Sequence, residues 1–273
     1  MANKKTTKKK TNVKSTTKVK ENKISEELKE VKEDIDDVSK NNKTLLIVFG
    51  LLIALFLLII LITSTSNNKS ETNYRVENEN GVSVYIIDNF KYVESKEETN
   101  LVAIEVEDKG LMIAELYPDI APITVKNFKK LVSEKFYDGL TFHRVIDNFM
   151  IQTGDPTATG SGGSEENIKG EFDNNGFENP LSHTRGVLSM ARRGGNPDTE
   201  ETMNSASSQF FIVQADSTYL DGNYASFGQI ERGLEVVDKI AKVSTDENDK
   251  PIKDVVINSI RFVSEYETNY DGE

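Results

Sequence analysis

Hydrophobic and polar positions follow three patterns along this chain. Between residues 24 and 38 the apolar residues are spaced alternately four and three apart, which predicts a short amphipathic helix of the heptad type. Residues 44–62 form a nearly continuous apolar run, TLLIVFGLLIALFLLIILI. From about residue 98 onward, short alternating runs separated by Gly, Asn and Asp turns predict a β-rich globular domain.

The apolar run at 44–62 has the length of a membrane-spanning helix. Its 19 residues carry no charge, and as a helix they would extend roughly 28 Å, close to the ~30 Å thickness of a hydrocarbon core. Because 43 residues precede the run and no small-residue cleavage site follows it, a cleaved signal peptide fits less well. Lysines concentrated before the run predict a cytoplasmic N-terminus. We therefore expect a single-pass protein of the cell membrane with an extracytoplasmic domain.

These patterns divide the chain into five segments. We expect a disordered, Lys-rich cytoplasmic tail at 1–43, which includes the heptad helix, and the transmembrane helix at 44–62. A polar extracytoplasmic linker follows at 63–97, then a globular domain at 98–265 and an acidic tail at 266–273. The heptad segment could form a weak homodimer, or it could lie as a helix on a surface, and its short length favours the second interpretation.

Within the globular domain, the pattern predicts strands and two helices. Strands at 101–106 and 111–116 flank a hairpin turn, and a final strand covers 255–263. Helices are predicted over 122–136, which has a proline at its first position, and over about 234–243.

The stretch at 141–156, TFHRVIDNFMIQTGDP, contains the most unusual set of side chains. Alternation places Arg144 on one face of a short strand. After a turn at Asp147–Asn148, Met150 and Gln152 share a face of a second strand. This hairpin therefore combines a permanent cation, large apolar groups and an uncharged amide, and it contains no evident nucleophile.

The motif FHRVIxxFMIQxGDP in this stretch resembles the signature of the cyclophilin family of peptidyl-prolyl cis-trans isomerases. Three further blocks occur in the family's order, at 115–128, 186–212 and 220–228. The resemblance spans roughly 98–265 and implies a mainly β fold, a closed eight-stranded antiparallel barrel with two capping helices. Together with the apolar run and the Lys- and Asn-rich composition, it favours a membrane-anchored bacterial form.

The resemblance also implies a reaction and a set of site residues. The reaction is rotation about the peptide bond before proline, and its barrier of ~18–20 kcal/mol comes from amide resonance. A donor that binds the prolyl nitrogen only in the twisted state would lower this barrier. The implied catalytic residues are Arg144, Phe149 and Gln152. The implied substrate-binding residues are Met150, Ala191, Arg192, Gln209, Phe211, Tyr219, Leu220 and Tyr224.

Three features depart from the family's common pattern. Tyr219 stands where the family often has a tryptophan whose indole N–H helps to hold cyclosporin, so we expect weak cyclosporin binding. Tyr224 replaces a histidine of the eukaryotic form and keeps an aromatic wall. The loop at 192–207 is longer than expected; it could gate substrates or be a tolerated surface insertion, and we favour the second interpretation.

Composition limits the possible chemistry further. The chain has no Cys, which excludes disulfides, thiolate nucleophiles and Cys-based zinc sites. Its two histidines, His143 and His183, are too few for most His-rich metal sites, and the resemblance implies structural positions for both. Residues 1–62 hold 13 Lys and 8 acidic residues, whereas the remainder holds 20 basic and 37 acidic residues. An acidic domain argues against nucleic acid as the partner.

We therefore predict a peptidyl-prolyl cis-trans isomerase that assists the folding of extracytoplasmic proteins. No cofactor or metal is expected, and the expected partners are proline-containing polypeptides and, through 44–62, the membrane. One alternative is a cyclophilin-like module that binds polypeptides without turnover. Another is a membrane scaffold that recruits a cytoplasmic partner through the segment at 24–38.

Overall fold

The computed structural model describes Lys29 and residues 74–266. The chain divides into two units, at 1–71 and at 72–273. Apart from Lys29, the segments predicted as the Lys-rich tail, the heptad helix and the transmembrane helix lie outside the described residues. None of the helices that the structure does describe is long and apolar enough to cross a membrane.

The second unit contains strands and a few helices, as the alternating pattern predicted. Its strands are β1 (Tyr74–Glu79), β2 (Val82–Ile87), β3 (Phe90–Glu94), β4 (Leu101–Val106), β5 (Gly110–Leu116), β6 (Arg144–Ile146), β7 (Met150–Thr153), β8 (Val187–Met190), β9 (Phe210–Val213), β10 (Ser226–Arg232) and β11 (Ile257–Glu265). Its helices are α1 (Pro122–Ser133), α2 (Glu200–Met203) and α3 (Leu234–Ala241).

The eleven strands form one antiparallel sheet in the order β1-β2-β3-β11-β4-β5-β10-β8-β9-β7-β6. The prediction of a closed eight-stranded barrel is therefore wrong. Near the point where such a barrel would close, an isolated bridge joins Thr141 to Val256 and the Gly139 N–H donates to the Ile257 carbonyl at 2.8 Å, but the end of β11 pairs with β3 instead. Because a ladder needs consecutive paired residues, this single bridge leaves the sheet open.

The main core lies between one face of this sheet and the two longer helices. Val125 and Phe128 of α1 and Val237 and Ile240 of α3 are buried in it. The two predicted helices are thus confirmed, although α1 ends at Ser133, earlier than expected. It ends there because Lys135 has a φ of 55°, which a right-handed helix does not accommodate.

Residues 74–94 fall in the predicted linker, where a β-like run at 82–87 had left open whether the segment packs on the domain; they form β1–β3 and pack against it. Their apolar side chains Tyr85, Ile87 and Tyr92 are buried together with Ala103, Leu111, Ile113 and Val263. These partners alternate with the core residues of β4, β5 and β11, so they lie on the outer face of the sheet. The Tyr92 hydroxyl also accepts a hydrogen bond of 2.8 Å from Arg232 Nε.

We predict that the strands β1–β3 contribute to the stability of the domain. Tyr92→Ala removes a ring that is 3% exposed and should lower the free energy of unfolding by about 3 kcal/mol. Tyr266→Ala, at a ring that is 53% exposed, is the control and should change it by less than about 0.5 kcal/mol. Urea unfolding followed by circular dichroism measures both, and equal effects would show that β1–β3 is not part of the cooperative unit.

Candidate functional site

Cross-strand register brings the candidate residues to one face of the sheet. Arg144 of β6 pairs with Gln152 of β7, Gln152 pairs with Phe211 of β9, and Phe211 pairs with Ser189 of β8. Because directly paired residues project to the same side of an antiparallel sheet, these four side chains share the outer face. The alternate positions on the inner face belong to the main core: Val145, Ile151, Ile212, Leu188 and Phe210.

Apolar side chains on this outer face form a cluster of their own, which we call the apolar pocket. Met150 and Phe211 are 2% and 5% exposed and pack with Val187 and Val213. The partly buried side chains at its border include four predicted site residues, Phe149, Ala191, Leu220 and Tyr224. Ile146 lies at the same border. The cluster therefore brings together six of the catalytic and substrate-binding residues that the resemblance implied: Phe149, Met150, Ala191, Phe211, Leu220 and Tyr224.

Two aromatic rings extend the apolar pocket in different ways. The Tyr224 ring packs edge-on against Phe211, with ring centroids 5.9 Å apart and an interplanar angle of 84°. The Tyr219 ring lies 6.0 Å from Phe149 and is 68% exposed. Tyr224 is thus part of the wall, whereas Tyr219 stands at the outer rim.

Arg144 lies beside this pocket with its side chain 43% exposed. Its Nε is 3.6 Å from an oxygen of Asp249, and the Val145 N–H donates a 2.8 Å hydrogen bond to the Asp249 carbonyl. The loop around Asp249 is therefore fixed to β6. Because an ion pair at this exposure is weak and screened by solvent, it leaves the guanidinium accessible at the surface of the sheet.

The two predicted glutamines bind each other. Gln152 Nε2 donates to Gln209 Oε1 at 2.8 Å, and Gln209 Nε2 donates to the carbonyls of Gly160 and Gly162 at 3.0 and 2.7 Å. Both side chains line a groove of about 480 Å³, together with Ala191 and the Arg192 segment. The glutamines thus form a polar floor next to the apolar pocket.

Asp155 holds the loop under this groove, a role that sequence reasoning missed. Its buried carboxylate accepts hydrogen bonds from the backbone N–H groups of Thr157, Thr159, Gly160 and Gly162 and from the Thr157 hydroxyl. Burial alone would raise the pKa of Asp155, but these donors outweigh it and hold the pKa well below its usual range. The only sequence signal was the Gly-Asp-Pro that ends the motif.

His183 lies beneath the apolar pocket. Its ring stacks on Phe211 at 6.0 Å, while Nδ1 is 2.8 Å from an Asp221 oxygen and Nε2 is 2.9 Å from Ser189 Oγ. Burial lowers the pKa of His183, and Asp221 only partly opposes this effect. The imidazole is therefore neutral near pH 7, with Nδ1–H donating to Asp221, and it supports the pocket floor.

For the remaining predicted residue, Arg192, the resemblance implied a contact of its backbone with the substrate. Its segment lines the groove, but its side chain is only 5% exposed and turns inward. Within the part of the chain that the structure describes, no cluster of three or more His, Asp or Glu side chains is placed to hold a metal ion.

Comparison with known proteins identifies the family. Residues 101–262 match the family described as cyclophilin type peptidyl-prolyl cis-trans isomerase/CLD. "Peptidyl-prolyl cis-trans isomerase-like 1" of Aspergillus oryzae is 41% identical over 159 residues, which are 58% of this chain and 92% of that protein. The protein of the same name from Neurospora crassa is 42% identical over 165 residues, or 60% and 94% of the two chains.

The chain therefore belongs to the cyclophilin family of peptidyl-prolyl cis-trans isomerases. A solved cyclophilin-type isomerase from Cryptosporidium parvum, crystallised in the presence of the dipeptide Ala-Pro, has a similar fold, with a TM-score of 0.54 and 32% identity. The similarity covers 60% of this chain and 99% of that one. This cyclophilin is thus an isomerase of prolyl peptide bonds, and proline-containing polypeptides are its class of substrate.

These findings correct the predicted location. The relatives from A. oryzae and N. crassa are fungal, whereas the prediction assumed a bacterial protein. The prediction of a bacterial cell-membrane protein with an extracytoplasmic catalytic domain is therefore wrong, because it assumed a bacterial origin that these relatives do not share. The apolar stretch at 44–62 lies outside the described residues. Apart from Lys29, so does the segment at 24–38, for which a weak homodimer was one interpretation.

We predict that Asp155 stabilises this cyclophilin only while it is ionised. Asp155→Asn should lower the free energy of unfolding by about 2 kcal/mol at pH 7. Because the folded-state pKa is depressed, the contribution is complete above the unfolded-state pKa, about 4, and is lost progressively as the pH falls below it. Urea unfolding at pH 7, 5 and 3 should show the gap between wild type and variant narrowing towards pH 3.

The matched control for this prediction is Asp119→Asn, at an exposed aspartate. It should leave the free energy of unfolding within about 0.5 kcal/mol of wild type at each pH. A gap between wild type and Asp155→Asn that does not change with pH would contradict the assigned charge state.

Proposed function

We propose that this cyclophilin accelerates prolyl isomerisation without covalent chemistry, with Arg144 as the donor to the prolyl nitrogen. When the bond twists, the nitrogen regains its lone pair and becomes a hydrogen-bond acceptor. A guanidinium placed to meet it only then would stabilise the transition state more than the ground state. The single observation that carries the proposal is the row of paired residues in which Arg144 shares a face with Gln152 and Phe211.

The apolar pocket would hold the proline ring beside Arg144. Met150 and Phe211 form its buried floor, and Phe149, Leu220 and Tyr224 border it. A ring of this size gains most from an apolar wall that excludes water, and methionine adapts its shape to the ring. Holding the ring fixes one side of the bond that must rotate.

The groove would hold the polypeptide on the other side of the bond. The Ala191–Arg192 segment borders both regions, because Ala191 packs on the apolar pocket and also lines the groove. An extended segment could lie along it in the manner of an added strand. The Gln152–Gln209 pair then offers amide groups to the backbone of the substrate next to the proline.

The biological role that follows is assistance to the folding of proteins with slow prolyl bonds. Prolyl isomerisation takes tens to hundreds of seconds at 25 °C and can limit folding. The related C. parvum structure was obtained in the presence of Ala-Pro, which supports a prolyl peptide as the ligand of this site. The restriction to extracytoplasmic clients depended on the corrected location and is not part of the proposal.

The test is an isomerisation assay on a tetrapeptide, with the full-length chain and its Arg144→Ala variant. We expect kcat/KM to fall by about 100- to 1000-fold, as for the loss of other single charge-stabilising donors. The fall should appear mainly in kcat, because the donor acts in the twisted state.

The control for this assay is Arg75→Ala, at an arginine of β1 whose side chain is 64% exposed and pairs with Glu77. It should retain wild-type activity. If Arg144→Ala retained it as well, Arg144 would not be the donor, and the family membership of the chain would be unaffected.

A second prediction concerns the rim of the pocket. The resemblance implies that an indole N–H helps to hold cyclosporin, and Tyr219 lacks this donor. We expect weak inhibition of the wild-type enzyme by cyclosporin and inhibition about five-fold stronger for Tyr219→Trp, since one hydrogen bond is worth about 1 kcal/mol. Tyr266→Trp, at a remote exposed ring, should change nothing. Nanomolar inhibition of the wild-type enzyme would contradict the prediction.

A further inference from the structure

The Arg192 side chain is buried at the junction of the long loop, 192–207, with the apolar pocket. Its guanidinium carbon lies 5.2 Å from the centre of the Phe172 ring and 5.0 Å from that of the Tyr224 ring. Only 5% of the side chain is exposed. A cation that is buried to this extent is tolerated only when it is paired and its donors are satisfied.

The donors of Arg192 bind one residue of the pocket side and two of the loop. Nε donates to the Asn223 carbonyl at 2.9 Å, which fixes the backbone immediately before Tyr224. Nη1 and Nη2 donate to the two oxygens of Asp198 at 3.0 and 2.7 Å, and Nη1 also donates to the Arg193 carbonyl at 3.0 Å. The hydrogen bonds from Arg192 hold the pKa of Asp198 below its usual range, so this carboxylate is ionised at neutral pH.

Tyr224 is the element that this contact controls. Its ring packs edge-on against Phe211 and lies 6.5 Å from the ring of His183. It therefore forms one wall of the apolar pocket, with Arg192 behind it. A shift of the Tyr224 ring would change the width of the pocket without touching Arg144.

We infer that Arg192 is a positioning residue which, held by Asp198, fixes the Tyr224 wall and thereby sets the affinity of the pocket for the proline ring. The inference rests on the proposed function of the apolar pocket. It assigns the long loop a role that is neither a gate nor a neutral insertion: the loop supplies the carboxylate that holds Arg192. Because the wall contacts the ring in the ground state and in the twisted state alike, its loss weakens binding and leaves the rotation rate nearly unchanged.

The experiment measures binding and rotation separately. NMR exchange line shapes of an Ala-Pro-containing tetrapeptide give the dissociation constant and the interconversion rate on the full-length enzyme. For Asp198→Asn and Arg192→Lys we expect the dissociation constant to rise roughly five-fold, the size of a lost cation–π contact, and the bound-state rate to stay within about two-fold. The lysine of Arg192→Lys should not restore the wild-type dissociation constant, because an ammonium lacks the planar fork that binds Asp198 and Asn223 together.

The same loop provides a matched control. Arg193 and Glu201 form a second ion pair at 3.2 Å, but their side chains are 59% and 77% exposed. Glu201→Gln, which breaks this pair at the partner that does not line the groove, should leave the dissociation constant unchanged. In the double variant Arg192→Gln/Asp198→Asn, the second substitution should add little to the first, because the two residues act as one unit. Thermal unfolding of each variant checks that it is folded. If the Arg192 variants do not fold, Asp198→Asn still tests the inference, because it leaves the buried arginine in place.

Three outcomes would overturn the inference. These are an unchanged dissociation constant in Asp198→Asn, an equal rise in the Glu201 control, or a loss confined to the rotation rate. Tyr224→Ala separates this failure from a failure of the proposed function. If Tyr224→Ala weakens binding and Asp198→Asn does not, only the inference fails, whereas no effect of Tyr224→Ala would show that the apolar pocket itself is wrongly assigned.

Discussion

The register of four antiparallel strands is the constraint on which this site depends. Because side chains alternate along a strand, the pairing of Arg144 with Gln152 and of Gln152 with Phe211 sends these residues outward. The same pairing sends Val145 and Ile151 into the core. A slip of one residue in the strand register would bury the cation and expose the apolar side chains. The register that buries the core is therefore the same one that places the site residues on the outer face.

Buried polar groups then hold the site in one arrangement. Asp155 accepts hydrogen bonds from the N–H groups of its loop, and carbonyls of that loop accept the hydrogen bonds that orient Gln209. Beneath the pocket, His183 connects Asp221 to Ser189 under the ring of Phe211. Each of these groups would be costly if it were left unpaired, which makes the alternative arrangements unfavourable. The rigidity that differential binding requires therefore comes from residues that need not touch the substrate.

The strands β1–β3 lie outside the part of the chain that matches the family. The match covers residues 101–262, whereas β1–β3 lie at 74–94 and continue the sheet from the end of β11. Tyr92 and its neighbours cover an outer face that β4 and β5 would otherwise expose. The side chains of β1–β3 cover strands that do not carry the site. The domain therefore gains buried apolar area without altering the groove.

The sequence by itself determined the β-rich class, the two longer helices, five of the eleven strands and the residue types of the site, because periodicity and the motif at 141–156 are local signals. Only the tertiary structure decided that the sheet stays open, that residues 74–94 belong to it, and that Gln152 and Gln209 bond to each other. It also decided that Arg192 is buried. Each of these depends on partners far apart in the sequence, such as Tyr92 and Arg232, and no local pattern encodes such a pairing. The predicted bacterial cell-membrane location was wrong because amino-acid composition does not identify the source of a chain, and the relatives that share 41% and 42% identity with it are fungal.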